Sequence, residues 1–246
     1  MLLISVTYVF AVEQVGNQQP SFQVLTAKQD MTTLDQDILS VLSQPGSSAT
    51  LDFRDSGGQL NIEPFSNNLT LTITDNFDVN QTVFNEATGQ IVYDLQSSII
   101  SNINLYLNGD SNTITNQSGS SPSQLYLAST PQGPQIQLGY RPSLTYSAAG
   151  MENNQAVTDI RVYVINLSAS TPLSLGGELP LKISCLSTQL STETFQVSNQ
   201  ATSVEVFSQL NNLSGSISVP ISNTPNGAII NLQLVSSNVS IEEGIA

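Results

Sequence analysis

Apolar residues recur at helical spacing between Phe22 and Leu42. Their positions advance by three or four residues at a time: Val24, Ala27, Met31, Leu34, Ile38 and Val41. The charged residues of this segment are predicted to lie mostly off the stripe: Lys28, Asp30, Asp35 and Asp37. Such a stripe predicts an amphipathic helix with one buried face, and Pro45-Gly46 predicts its end. Pro20 precedes the stripe, where a proline either starts a helix or kinks a longer one. We expect one long N-terminal helix with a kink at Pro20.

Residues 1–12 form the most apolar run of the chain. The first basic residue is Lys28, so the run lacks the positive leading region of a secretory signal peptide. As a helix the run would be about 18 Å long, too short to span a bilayer. We therefore expect it to be buried by other copies of the chain. Its β-branched and aromatic residues also fit a strand donated to a neighbour's sheet.

The pattern changes after Pro45 to short runs in which apolar and polar residues alternate, separated by Gly, Pro, Asn and Ser. This alternation predicts antiparallel strands with one solvated face, assembled as a β-sandwich. The predicted strands are 50–54, 59–63, 69–74, 91–96, 104–108, 124–128, 135–141, 157–166, 178–187, 193–198, 203–211, 215–222 and 228–236. Gly57-Gly58 predicts a hairpin turn between the first two.

The sequence therefore predicts an α+β, mainly β fold: an N-terminal kinked helix followed by one or two antiparallel β-sandwich modules. A polar stretch at residues 148–154 is the best candidate boundary between modules. We favour a helical assembly segment at 1–45, a first β-rich module at 46–150 and a second at 151–246.

Charge excludes several classes of partner. Only 10% of the residues are charged, and the formal net charge is −14. The five basic residues are isolated from one another, whereas nucleic acids and anionic lipids require basic clusters. The chain has no histidine, which excludes histidine-based catalysis and metal binding. The single cysteine, Cys185, lies in a strand-like run and is predicted to be buried.

Carboxylates offer the only candidate chemistry, and it is weak. Asp52, Asp55 and Glu63 could face one another across the predicted hairpin, but no aromatic sugar-stacking surface accompanies them. Residues 108–112 and 75–80 place oxygen side chains at alternate positions, as calcium loops do. Neither segment has the distal glutamate of an EF-hand, and such turns are common in β proteins. We predict no catalytic site, metal or cofactor.

Six asparagines stand in the N-x-Ser/Thr pattern of N-glycosylation acceptors. They are Asn68, Asn80, Asn116, Asn166, Asn212 and Asn238. In a chain so rich in Asn, Ser and Thr, chance alone accounts for about five such sequons. They become informative only if the chain is extracellular, where glycans would solubilise a surface with few charges.

These features together resemble archaeal type IV pilin-like proteins, the group that includes archaellins and adhesion pilins. The resemblance rests on an apolar N-terminus with one acidic residue, Glu13, a proline at Pro20, an amphipathic stripe to Leu42 and a sequon-rich β region. It implies that apolar helices pack in a filament core while glycosylated β domains form the outer shell. The core-packing residues would be Leu2, Leu3, Ile4, Val6, Val9, Phe10 and Val12.

The function expected from sequence is a non-enzymatic structural subunit of an extracellular archaeal filament. Its main partners would be copies of itself in a helical polymer, with surface glycans or other cells as further partners. Two alternatives stay open. One is a monomeric adhesin or S-layer-associated binding module at the cell surface, and the other is a filament built by donated β-strands.

Overall fold

The computed structural model describes residues 2–95, 104–222 and 224–244, with side chains described from residue 22 onward within those ranges. The described chain is mainly β with one N-terminal helix, as the sequence predicted. The elements are α1 (Leu2–Val41), β1 (Ser48–Phe53), β2 (Gln59–Glu63), β3 (Asn68–Thr74), β4 (Asn80–Ala87), β5 (Gln90–Asp94), β6 (Leu105–Asn108), β7 (Thr115–Asn116), β8 (Ser123–Thr130), β9 (Gly133–Tyr140), β10 (Ser143–Glu152), β11 (Gln155–Asn166), β12 (Leu173–Gly176), β13 (Leu179–Val197), β14 (Ser203–Leu210), β15 (Leu213–Pro220) and β16 (Ala228–Glu243).

The helix α1 is continuous over 40 residues and includes Pro20. Its predicted apolar stripe is confirmed, because every member from Ala27 to Val41 is at most 2% exposed and Val24 packs against them. The first segment is helical from Leu2 rather than a strand. The predicted filament-core residues and Pro20 have side chains outside the described part of the chain: Leu2, Leu3, Ile4, Val6, Val9, Phe10, Val12 and Pro20.

The strands form three sheets. A central sheet has the order β1-β13-β16-β11-β10-β7, and it is mixed because β11 pairs with β16, and β7 with β10, in parallel. A lateral sheet has the order β12-β2-β5-β9-β8-β6, and a four-stranded sheet has the order β15-β14-β3-β4. All pairs in these two sheets are antiparallel.

The predicted hairpin at Gly57-Gly58 is wrong. Strand β1 pairs with β13 in the central sheet, whereas β2 pairs with β5 and β12 in the lateral sheet, so this segment crosses between two sheets. Gly58 lies against β5: a Cβ added there would be 2.2 Å from the carbonyl oxygen of Asp94. The Gly58 N–H also donates to the Tyr93 hydroxyl at 2.9 Å. Only glycine fits at this position, because the backbone of residue 58 lies so close to Tyr93 and Asp94 of β5.

The buried apolar residues form two cores. The first core joins the helix and the lateral sheet to the end of the central sheet that contains β1. The second core joins the four-stranded sheet to β10, β11 and the other halves of β13 and β16. Each core combines residues from both predicted modules, 46–150 and 151–246. The polar stretch predicted to separate those modules is the turn of the β10–β11 hairpin.

The central sheet buries opposite faces at its two ends. On β13, Ile183 and Cys185 belong to the first core, whereas Phe195 and Val197 belong to the second. All four have odd numbers and would share a face in a regular strand. A β-bulge leaves Leu186 without a register partner. Because of this one extra residue, the odd-numbered residues of β13 beyond the bulge point to the opposite face of the sheet. The buried free thiol of Cys185, predicted from its run, is confirmed.

Candidate functional site

The helix is held to the β structure by a buried polar cluster. Asp35 is 1% exposed. Its carboxylate accepts hydrogen bonds from the Ser123 hydroxyl at 2.5 Å, the Asn108 amide at 2.9 Å and the Tyr140 hydroxyl at 3.1 Å. Burial raises the pKa of Asp35 above its ordinary value, and the three hydrogen bonds oppose that rise without cancelling it. Burial and the neighbouring Asp35 carboxylate also raise the pKa of Tyr140.

A second polar contact joins the helix to the end of β1. The Asp30 side chain accepts hydrogen bonds from the backbone N–H of Arg54 at 3.0 Å and from its Nε at 2.9 Å, and the two side chains form an ion pair. The Arg54 side chain is about half exposed, so solvent weakens the ion pair. The backbone hydrogen bond makes the contact directional. Together, the Asp30 and Asp35 contacts fix how the helix is rotated about its axis and where it lies along that axis relative to the sheets.

Both aspartates were predicted to lie mostly off the apolar stripe, and this is wrong. Asp30 follows Ala27 by three residues, and Asp35 follows Met31 by four, so both stand on the buried face. The spacing could have indicated their positions. Their hydrogen-bond partners could not be read from the sequence, because the residues bonded to Asp35 lie 73 to 105 positions away.

Replacing Asp35 with asparagine should change how the stability of the chain depends on pH. Because burial raises the pKa of Asp35 in the folded state, the folded chain binds this proton more tightly than the unfolded chain does. The resulting stabilisation is complete below the ordinary pKa of 3.8 and is lost as pH rises through the folded-state pKa. The stability of the wild type relative to Asp35→Asn should therefore fall as pH rises above about 3.8.

The measurement is the free energy of unfolding of both chains in denaturant at several pH values. Asp52→Asn is the control, since it removes an exposed carboxylate from β1 without touching the cluster. A difference between wild type and Asp35→Asn that stays constant with pH would contradict the assigned role of burial.

The first calcium-like segment, residues 108–112, is held by Arg141. The guanidinium is fully buried and donates to the Asp110 carboxylate, to the Asn112 carbonyl at 2.8 Å and to the Ser120 hydroxyl at 2.7 Å. This guanidinium holds the pKa of Asp110 well below its ordinary value. The Asp110 carboxylate is thus engaged by an arginine, and the arrangement anchors the loop between β6 and β8.

The second segment, residues 75–80, is organised by its own backbone. The Asp75 carboxylate accepts the N–H groups of Phe77, Asp78 and Val79 at 2.8–2.9 Å and that of Ser198 at 3.2 Å. Burial alone would raise the pKa of Asp75, but these four donors outweigh it and lower the pKa. Across the described residues, no three Asp, Glu, Cys or His side chains are grouped so that they could hold a metal.

The carboxylates considered for catalysis are not brought together. Asp52 lies in the central sheet and Glu63 in the lateral sheet. Asp55 accepts the Gly57 N–H at 2.8 Å in the crossing segment, and Glu63 accepts the Gln90 amide at 2.8 Å. The expected approach across a hairpin fails because the two strands do not pair.

The six sequons differ in accessibility. Asn68, Asn80 and Asn212 are exposed. Asn116 is half-buried, and its side-chain Oδ1 accepts the Ser118 N–H at 3.1 Å. Asn238 is half-buried in β16, and its amide donates to the Ser187 hydroxyl at 3.0 Å.

Asn166 is 2% exposed, which leaves no room for a glycan on its amide in the folded chain. The three exposed sequons all belong to the four-stranded sheet. Asn68 begins β3, Asn80 begins β4, and Asn212 stands in the turn between β14 and β15. The N–H of Asn68 donates to the side chain of Asn211 at 2.8 Å, so Asn68 and Asn212 mark the same end of this sheet. Asn80 pairs with Thr74 and marks the other end.

Within the residues that the structure describes, no helix combines the length and the hydropathy that crossing a membrane requires. Comparison of the chain with protein-family models, with curated proteins and with solved structures finds no match in any of the three.

Proposed function

We propose that this chain is the structural subunit of an extracellular filament of the archaeal type IV pilus class, polymerising through its apolar N-terminus. The observation that carries the proposal is that the apolar run 1–12 lies at the start of a helix whose other half is fixed to the β structure. A helix of 40 residues is about 60 Å long. About 33 Å of it precedes Val24, the first residue of the packed stripe.

The energetics favour association of such helices. Leu2, Leu3, Ile4, Val6, Val9, Phe10 and Val12 are the proposed filament-core residues. Burial of residues 2–12 between subunits, at about 25 cal/mol per Å² of apolar surface, contributes on the order of 15–20 kcal/mol per subunit before the cost of ordering. Exposed to water, the same run would aggregate. A head-to-tail contact that does not close into a ring yields a helical filament.

The layout of the β structure supports the same proposal. The described apolar side chains of the helix that are buried belong to the first core, and the second core takes none of its described residues from the helix. The four-stranded sheet, which contains the three exposed sequons, covers the second core. In a filament with its helices inside, this sheet would form the outer, glycosylated shell. In this proposal each core is that of a β-sandwich, and the helix bends at Pro20.

The test is electron microscopy of the full-length chain beside a chain lacking residues 1–14. Full-length protein should form filaments, and the truncated chain should form soluble monomers, because the deletion removes the apolar run and keeps the packed stripe. A point variant tests whether the filaments are lost because the apolar surface is lost and not because the chain is shorter. Val9→Glu places a charge within the run and should prevent filaments, whereas Gln18→Glu adds the same charge to the same helix outside the run and should permit them.

Filaments from the truncated chain would contradict the proposal. Monomeric full-length particles would favour a cell-surface adhesin or an S-layer-associated module instead. Filaments that survive in Val9→Glu but require strand exchange would favour assembly by a donated β-strand, for which residues 4–10 would have to leave the helical conformation.

A further inference from the structure

One face of the central sheet is covered along only part of its length. On β11, Arg161, Tyr163 and Ile165 point to one side, because alternate residues of a strand share a face. Ile165 belongs to the first core, whereas Tyr163 is half-buried and Arg161 is exposed. The helix and the lateral sheet thus cover this face at one end and leave the rest uncovered. We call the uncovered part the open face.

Register partners extend the open face across four strands. They are Thr145 of β10, Arg161 and Tyr163 of β11, Gln233 and Val235 of β16, and Leu190 and Thr192 of β13. Leu190 is 64% exposed. Where the open face meets the C-terminal end of the helix, a cleft of about 360 Å³ is lined by Leu39, Leu42, Tyr163, Ile165 and Val235 among others. The open face therefore combines apolar and polar groups, as protein interfaces do.

Arg161 places a positive charge on the open face and forms no ion pair within the described part of the chain. Arg54 and Arg141 form ion pairs with Asp30 and Asp110, and Arg161 has no carboxylate within 4 Å. Its guanidinium donates instead to the Gln233 side chain at 2.8 and 2.5 Å, which holds it across β16. Asp159 lies two residues earlier on the same side and lines the same cleft as Arg161, and its carboxylate accepts a hydrogen bond from Asn231 at 3.0 Å.

The opposite end of the same sheet is negative. Asp52 lies at the end of β1, Glu178 precedes β13, and Glu242 and Glu243 end β16; all four are exposed. The register places them together, since Asp52 pairs with Pro180, and Leu181 pairs with Glu243. Lys182 is the basic residue among them. We call these four carboxylates the acidic end. It lies about 33 Å from Arg161, since Glu243 is ten residues beyond Gln233 on β16.

We propose that the open face binds the acidic end of a second copy of this chain, so that successive subunits contact each other head to tail through their central sheets. This inference rests on the proposed filament and names the contact between its β domains. The charges are complementary, since Arg161, which forms no ion pair of its own, meets the carboxylates of a chain that has 19 acidic and five basic residues. The open face also lies on the helix-bearing side of the sheet, where neighbours in a filament would be nearest.

The contact joins two different surfaces and does not close on itself, which is the geometry of a helical polymer. The test measures the critical concentration for filament formation by pelleting and electron microscopy of the full-length chain. Arg161→Glu should raise the critical concentration about tenfold or more, because like charges would then face each other. Gln209→Glu is the control: it adds a carboxylate at an exposed position of the four-stranded sheet and should leave the critical concentration unchanged.

Charge exchange identifies the partner surface. Glu242→Arg together with Glu243→Arg should also raise the critical concentration, and combining both changes with Arg161→Glu in one chain should restore it towards the wild-type value. Thermal unfolding of each variant checks that the β structure is intact, and all three positions are exposed. Assembly of Arg161→Glu at the wild-type concentration, or failure of the exchange to restore assembly, would overturn the contact. Wild-type chains that form no filaments would overturn the proposed function itself.

Discussion

Replacing Leu34 with alanine should lower the free energy of unfolding by about 2–5 kcal/mol, the range found for large-to-small changes in packed cores. Leu34 is 0% exposed and lies at the centre of the helix stripe, between Met31 and Ile38. Its removal leaves a cavity where the helix meets both the central and the lateral sheet. The cavity cannot close easily, because the Asp30 and Asp35 contacts hold the helix at a fixed distance from the strands.

Chemical denaturation of the full-length chain, kept unassembled in a mild detergent, gives this free energy. Gln36→Ala is the matched control: it is exposed on the same helix turn and should change stability by less than about 0.5 kcal/mol. Equal stabilities of the two variants would mean that the helix does not share a core with the sheets.

Replacing Arg141 with alanine should lower the free energy of unfolding by about 3 kcal/mol, since it removes a fully buried side chain and leaves part-buried acceptors without their donor, at about 1–3 kcal/mol for each unsatisfied buried group. The side chain is fully buried, and it donates to Asp110, to the Ser120 hydroxyl and to the carbonyls of Asn112 and Ser121. The Asn112 carbonyl would keep the Gln124 amide as a donor, whereas the Ser121 carbonyl would lose both hydrogen bonds that it accepts from this guanidinium. The Asp110 side chain is 40% exposed, so water compensates part of the loss there.

Two readouts test the role of Arg141. The free energy of unfolding should fall, and the segment between β6 and β8 should become sensitive to protease, because the guanidinium is what joins that loop to the end of β9. Arg141→Lys should recover only part of the stability, since an ammonium cannot reach the same set of acceptors. Arg161→Ala is the control, as an exposed arginine whose loss should cost less than about 0.5 kcal/mol.

The elements with one buried face were predictable from the sequence. Strand β3 alternates strictly between buried and solvated residues, and the helix stripe repeats every three or four positions, so in both cases the period gives the secondary structure. Strand β10 was missed because most of its residues are exposed and it carries Ala148, Ala149 and Gly150, which give no alternation. Strand β4 was missed for a similar reason, since its apolar side is short.

The way the strands assemble was not predictable. Nothing near Gly57-Gly58 in the sequence shows that β2 belongs to another sheet, because the cause is the contact of Gly58 with Tyr93 and Asp94. The division at residue 150 follows a local change in polarity, whereas each core is closed by pairings such as β3 with β14 that span well over a hundred residues. The Asp35 cluster is likewise created by tertiary packing, which brings Asn108, Ser123 and Tyr140 to one helix.

The burial of opposite faces at the two ends of the central sheet has a mechanical consequence. Strands β13 and β16 pair with each other from one core to the other. The same two strands therefore pack against one core on one face at one end and against the other core on the opposite face at the other end. A force applied along the helix would act on the second core as shear along the β13–β16 pairing, because these two strands connect the two cores. It would not simply separate two independent domains. In the proposed filament, a subunit under tension would therefore unfold only when many of these hydrogen bonds break at once.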